Sequence, residues 1–496
     1  MRGVYTVAQI QAAEHRAFAL LTDGTLMQRA ATALAQQCAL RLHSEDRKIY
    51  GSSVVLLVGP GSNGGDALFA GAQLSRRGAS VIALLADPVR RHEAGFAALI
   101  AAGGRASDGA GEEAIGLIQG ADLVVDGLLG IGARPGLSPA MRRLARAAEP
   151  ITTVAVDLPS GVGADTGVVD EAAVRADVTV TFGGLKAGLL IGAGAERAGA
   201  VHVVDIGLDL VSGLDASPAE QHAIVLENTD ISSWLPRPVA LDDKYRRGVV
   251  GVAAGSDRYG GAGVLSVGGA RSGGAGMVRF LASSRAVATH VGAEFPDVVV
   301  HAGASPAELR VQAWVVGPGI GVDDAARDLL RSVLATEVPV LVDADGITLL
   351  AEELTTQPGL LRDRSAPTVL TPHDREFARI VGDVGADRVE TARQAARTLG
   401  ATVLLKGFAT VVADPDGQVF LNPTGSAWLA TAGSGDVLSG LIGSLLATGV
   451  SPTRAAALGS YVHGVAGQLA AIAGPPTAVE ILQHLPSAVA AVRRGD

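Results

Sequence analysis

Short β-branched apolar runs alternate with Ala- and Leu-rich helical stretches along the whole chain, and this alternation leaves few folds open. In the first half "SVVLLVG", "SVIALLA", "DLVVDGLLG", "TTVAVDLPSG", "VTVTFGG" and "AVHVVDIG" read as buried strands. In the second half "VVGVAAGS", "GMVRFLAS", "AWVVGPGIG", "PVLVDADG", "TVLTPH" and "ATVLLKG" read the same way. Strands that alternate with helices give an α/β fold: mostly parallel sheets with helices on both faces. The 496 residues are enough for more than one such core. Between the halves lies a Pro-, Asp- and Ser-containing stretch poor in long apolar runs. The expected division is a domain over 1–215, a linker over 216–225 and a second domain over 226–496.

Composition narrows the function. Hydrophobic residues make up 48% of the chain but aromatic ones only 3%, and the 65 glycines suit tight strand-to-helix turns. The net charge of −10, with no basic stripe, argues against a nucleic-acid partner. Apolar runs stay short of the roughly 20 residues of a membrane helix. One cysteine, Cys38, excludes an internal disulfide framework and fits a cytoplasmic protein. The N-terminus is not a signal peptide: Val7, Ile10, Ala13, Ala17 and Leu20 recur at helical spacing instead.

Gly59, Gly61 and Gly64 match G-x-G-x-x-G after a strand, and Asp87 ends the next one, as in a dinucleotide fold. The loop contents disagree, because Asn63 and Asp66 lie in the turn, where an acid would repel a pyrophosphate. A glycine turn needed only for packing, with Asp66 as a helix cap, stays open. Asp126, Asp157 and Ser160 fall at further strand ends, where α/β sheets gather ligands. Asn63, Asp126 and Ser160 would offer only oxygens, a set that suits a hard cation rather than zinc.

In the second half, glycine turns follow the strands at "GSDRYGGAG" and "GPGIG". Asp343 and Asp345, then His373 and Glu376, end two others, and Lys406 follows a third. "TAGSGDVLSGLIGSLLA" runs a glycine turn into an apolar helix with Asp436 at its opening. Free N–H groups and the dipole at such a start suit a phosphate. An acid beside them suits activation of a hydroxyl.

In these motifs the first half, over roughly residues 5–210, resembles the NAD(P)H-hydrate epimerase domain. The family's Asn-Asn-Gly-Gly-Asp-Gly appears here as Ser62, Asn63, Gly64, Gly65, Asp66 and Ala67. The resemblance implies a Rossmann-like fold and substrate contacts from Ser62, Asn63, Gly64, Gly65, Asp66, Asp157 and the loop Gly130, Ile131, Gly132, Ala133, Arg134, Pro135 and Gly136. It also implies K+ held by Asn63, Asp126 and Ser160. Asp157 is the expected acid/base group. The second half, over roughly 225–490, resembles the ribokinase-like superfamily and, within it, the ADP-dependent NAD(P)H-hydrate dehydratases. That implies nucleotide contacts from Lys406, Gly407, Phe408, Ala409, Thr410 and Gly435, and substrate contacts from Ala262, Gly319, Gly321, His373 and Asp436. Asp436 is the expected base, and Mg2+ would arrive with ADP. The implied function is repair: epimerisation of (R)- and (S)-NAD(P)HX and dehydration of the S form, coupled to ADP hydrolysis. NADHX, NADPHX and ADP are the expected partners, and the protein is expected to be a homo-oligomer. The rival reading is a vitamin-precursor kinase fused to an epimerase-like scaffold.

Overall fold

The computed structural model describes residues 1–495 and divides into two compact units, one spanning Arg2–His222 and the other Met1 with the chain from Ala223 onward. The first contains strands β1 (Arg2–Tyr5), β2 (Ser53–Val58), β3 (Ser80–Leu85), β4 (Arg105–Asp108), β5 (Leu123–Gly127), β6 (Thr153–Val156), β7 (Val178–Phe182), β8 (Leu185–Lys186) and β9 (Ala200–Val204). Its seven-stranded sheet runs β4-β3-β2-β5-β6-β7-β9, and every pairing in it is parallel. Alternate residues of β2 enter separate cores: Val54, Leu56 and Val58 join one, Val55 and Leu57 the other. Burial on both faces is why this strand reads as one continuous apolar run. The chain order reverses between β3-β2 and β2-β5, which opens a crevice at the strands' C-terminal ends.

The second unit contains β10 (Ala223–Val225), β11 (Val249–Ala253), β12 (Met277–Ala282), β13 (Val299–Ala302), β14 (Ala313–Val316), β15 (Val340–Val342), β16 (Thr368–Leu370), β17 (Thr402–Leu405), β18 (Thr410–Ala413) and β19 (Val419–Asn422). Their order is β13-β12-β11-β14-β15-β16-β17-β18-β19-β10. Pairing is parallel from β13 to β17 and antiparallel through β17-β18-β19. The helix Ser434–Ala447 is held against its neighbours by missing side chains. A Cβ on Gly440 would lie 1.9 Å from Ser266 O, and one on Gly269 2.1 Å from Val437 O. The helix Gly260–Ser272 therefore crosses it at backbone contact. A Cβ on Gly443 would meet Val315 at 2.0 Å, so the same helix also lies close on the sheet.

Three sequence expectations need correction. The helix after β2 begins at Ser62, so Asn63 and Asp66 belong to it rather than to a turn, and Asp66 does not cap it. Strand β9 is half-exposed, as befits an edge strand, although its apolar run reads as buried. At the N-terminus Ile10, Ala13 and Ala17 are buried on the helix Val7–Phe18, but Leu20 lies beyond its end and is exposed. Among the described residues no helix is long and apolar enough to cross a membrane.

Candidate functional site

In the first unit the crevice at the reversal opens into a cavity of about 900 Å³. Ser62, Asn63 and Asp66 line it from the helix after β2. Gly130, Ile131, Gly132 and Ala133 line it from the loop after β5, and Asp157 from the end of β6. Arg134, Pro135 and Gly136 do not line it; Gly136 N–H instead donates to Gly161 O at 2.9 Å. Gly64 and Gly65 lie buried behind the wall. A Cβ on Gly64 would lie 2.2 Å from Gly59 O, and one on Gly65 2.9 Å from the His92 ring. Their lack of side chains lets the helix approach that closely. Asp87 binds its own loop and Arg90 instead of a ribose-facing crevice.

Asp157 has φ +66°, an uncommon conformation for a residue other than glycine. Its Oδ1 accepts hydrogen bonds from Lys186 Nζ at 2.6 Å, Thr181 Oγ1 at 3.0 Å and Phe182 N at 3.1 Å. Lys186 is 1% exposed and also donates to Thr181 Oγ1 and Phe182 O. Lys186 thus gives all three of its acceptors a charge-assisted hydrogen bond, the Asp157 carboxyl among them. Sequence reasoning missed Lys186 because a lone lysine in "GGLKAG" carries no motif, and only the fold carries its side chain to Asp157. It missed Glu14 too, which reaches the cavity from the helix Val7–Phe18. Burial raises the Glu14 carboxyl, and Asp157 adds to the effect.

Asn63, Asp126 and Ser160 are brought together beneath this cavity. Ser160 donates from Oγ to Asp126 Oδ1 at 2.7 Å and from N to Asp126 Oδ2 at 2.8 Å. Asn63 Nδ2 donates to Val156 O and Leu129 O. Burial pushes the Asp126 carboxyl up to about 6, although those bonds oppose it.

In the second unit Gly433, at φ +88°, opens the helix that carries Asp436 in its first turn. The Ser434 N–H turns back to Thr431 O, and Val437 N–H bonds Gly433 O. Gly435 and Asp436 lie in the first turn, whose N–H groups have no acceptor within the helix. Asp436 is raised to about 7, by burial first and then by Asp343, while Lys406 pulls it down. Lys406 Nζ lies 2.8 Å from Asp343 Oδ1 and 3.8 Å from Glu376 Oε2. Burial would lower the ammonium, but Asp343, Glu376 and Asp436 hold it above its ordinary value. Ser439, one turn after Gly435, donates to Asp343 Oδ2 at 2.5 Å.

A Cβ on Gly435 would sit 3.4 Å from Lys406 Nζ, so these two predicted nucleotide residues adjoin. Gly407 lies beside Arg388, Phe408 is partly exposed, and Ala409 and Thr410 are buried at the start of β18. A Cβ on Gly319 would lie 2.7 Å from that of Ala262, which unites two predicted substrate residues, while Gly321 N–H donates to Asp345 Oδ2. His373 caps the helix Asp374–Val381, accepting at Nδ1 from Arg375 N and Glu376 N. That leaves Nε2 as its protonated nitrogen, 3.4 Å from Glu376 Oε1. The pair Ser434 and His463, both buried and 3.2 Å apart, lies under the glycine turn and carries no sequence signature.

Two family models match the chain. The YjeF-related protein N-terminus covers residues 23–188, and NAD(P)H-hydrate dehydratase covers 250–485. The "Bifunctional NAD(P)H-hydrate repair enzyme Nnr" of Mycobacterium leprae is 46% identical over 99% of this chain and 100% of its own length. The chain belongs to the bifunctional NAD(P)H-hydrate repair enzymes. It is therefore an enzyme with two activities, an isomerase and a lyase. The M. tuberculosis relative of the same name (strain CDC 1551 / Oshkosh) is 47% identical over 92% of both chains. A solved ribokinase-like superfamily protein from Enterococcus faecalis is 24% identical, covers 57% of this chain and 99% of its own, and has a TM-score of 0.50. It bears on the fold of the second unit.

Proposed function

We propose that the first unit interconverts the epimers of NAD(P)HX at the cavity bearing Asp157, and that the second dehydrates the S epimer at Asp436 with ADP. The observation that carries this reading is the placement of a carboxyl with a lysine beside it at each glycine-lined site. Lys186 Nζ lies 2.6 Å from Asp157 Oδ1, and burial with Asp343 pushes Asp436 up to about 7 against the pull of Lys406.

In the first unit Asp157 Oδ1 is occupied by donors, so Oδ2 is the atom that exchanges a proton with the substrate hydroxyl. The residues around Asp126 fit K+. They present oxygens alone, and the buried Asp126 lacks a cation to offset its charge. Gly130 leaves Asn63 Oδ1 open, where a Cβ would stand 2.4 Å away. Among the described residues no group of three or more His, Cys, Asp or Glu is arranged to hold a metal, so Asp126 would share the ion with neutral oxygens. A bound K+ would supply fixed positive charge near the polar end of the substrate. Replacing K+ by Li+ is expected to lower the epimerisation rate without unfolding the chain, as read by chromatography and thermal melting.

In the second unit ionised Asp436 takes the proton of the ring hydroxyl as its oxygen attacks the terminal phosphorus of ADP. The Gly435 and Asp436 amides and the helix start stabilise the charge on the moving phosphoryl group. Mg2+ arriving with the nucleotide would screen its phosphates. The ring nitrogen's lone pair then expels phosphate to leave an iminium, and loss of a proton from the neighbouring ring carbon restores the dihydropyridine. An epimer mixture of hydrated NADH, incubated with ADP or ATP and resolved by chromatography, tests both halves. Conversion of both epimers with release of inorganic phosphate supports the reading, and a stable phosphorylated product refutes it. On this reading the protein works in the cytoplasm on small molecules; light scattering tests the expected homo-oligomer.

A further inference from the structure

Epimerisation needs two proton carriers, and Asp157 is only one. Opening the ring at its hydroxylated carbon removes a proton from the hydroxyl and requires another at the ring nitrogen. Lys186 cannot give that proton, because its ammonium is engaged by Asp157 Oδ1, Thr181 Oγ1 and Phe182 O. Asp66 can. It lines the same cavity, is 6% exposed, and its buried Oδ1 has no hydrogen-bond partner. The titratable groups around this cavity are Asp157 at the end of β6, Glu14 from the helix Val7–Phe18, Asp23, Lys186 on β8 and His92 at the start of the helix Glu93–Ala101. Lys186 is committed to Asp157, and among the described residues no ion pair reaches Asp66. Burial first, then Asp157 and Glu14, push the Asp66 carboxyl well above its ordinary range, which favours its protonated form. One carboxyl bonded to an ammonium and one buried without a partner are set apart as base and acid by environment.

We propose that Asp66 is the proton donor of the epimerase half, paired with Asp157 as acceptor. The inference rests on the reading of Asp157 given above. Asp157 takes the hydroxyl proton, and the oxygen's electrons form a carbonyl. The carbon–nitrogen bond breaks, its pair moves to the ring nitrogen, and that nitrogen takes the Asp66 proton. Rotation about the neighbouring carbon–carbon bond presents the other face of the aldehyde. On closure the nitrogen returns its proton to Asp66 and the new hydroxyl takes the one on Asp157. No atom is gained or lost, and both carboxyls end as they began.

The test compares full-length Asp66→Asn, Asp66→Glu and Asp157→Asn in the interconversion of hydrated NADH epimers across pH, corrected for the spontaneous rate. Asp66→Asn is expected to lose about 100-fold or more in kcat with KM little changed. Asp66→Glu should recover part of it. Wild-type activity should fall on the alkaline side as Asp66 loses its proton, and Asp66→Asn should lack that limb. Wild-type kcat in Asp66→Asn, a change in KM alone, or an alkaline limb that survives the substitution would overturn the proposal. If thermal melting shows that the Asn variant is unfolded, Asp66→Glu decides: an alkaline limb that does not move sinks the proposal. Full activity in Asp157→Asn would instead remove the reading on which this one rests. An inactive Asp157→Asn beside a fully active Asp66→Asn would defeat this inference alone.

Discussion

The two units place an acid in the same kind of setting, near the start of a glycine-opened helix, yet the acids have different protonation. Asp436 has Lys406 close by, and the cation pulls its carboxyl back to about 7 against burial and Asp343. Asp66 has no such help, because Lys186 is spent on Asp157, and it is held well above the carboxylate range. The local motif therefore sets where the carboxyl sits. The nearest uncommitted cation sets which form it takes.

Removing the poised acid has the largest expected effect. Asp436→Asn is expected to cost dehydration about a thousandfold while leaving epimerisation untouched, measured on the two epimers in one chromatographic assay. Next comes the buried pair of the first unit. Lys186→Met leaves Asp157 without its counter-charge, and a loss of about 3–5 kcal/mol is expected in denaturant melts. Lys186→Met/Asp157→Asn should lose less than the sum of the single changes, and strict additivity would show that the pair is not coupled.

A smaller effect concerns pH. The dehydratase kcat/KM should rise as pH climbs through about 7, since the base works ionised. Lys406→Met should move that rise to higher pH. A rise that stays in place would mean the lysine does not tune Asp436. The stability sign runs the other way. A carboxyl raised from 3.8 to about 7 on folding favours the folded state at low pH, and that contribution is lost as pH climbs between those values. The stability of Asp436→Asn relative to wild type should therefore grow across that window and level off above it. The smallest expected change is His463→Asn. His463 is buried and lowered to about 4 by burial, so it is neutral, and losing its bond to Ser434 should cost about 1–3 kcal/mol. An unchanged melt would assign that pair no structural weight.

The parallel sheets were legible because buried strands such as β2 and β14 are uninterrupted apolar runs with glycine turns after them. Strands β4, β13 and β19 were not, since "RASD", "VVHA" and "VFLN" are short or mixed and are defined by their neighbours. Asn63, Asp66, Asp126, Asp157 and Asp436 were legible because each lies at a strand end or helix start, where position alone suggests a ligand. Lys186, Glu14 and His463 were not. Each reaches its site from an element remote in sequence, and no spacing rule links β8 to β6 or the helix Pro452–Ala471 to the turn at Gly433. Sequence marked where chemistry could occur, and the partners that set protonation came only with tertiary structure.

The positive φ of Asp157 has a practical consequence for anyone probing this enzyme. Asparagine tolerates that left-handed backbone far better than alanine does. Asp157→Asn thus removes a charge and little else, whereas Asp157→Ala would also release a twisted peptide beside Lys186. An alanine scan here would report on main-chain geometry and proton chemistry together, and only the amide substitution separates them.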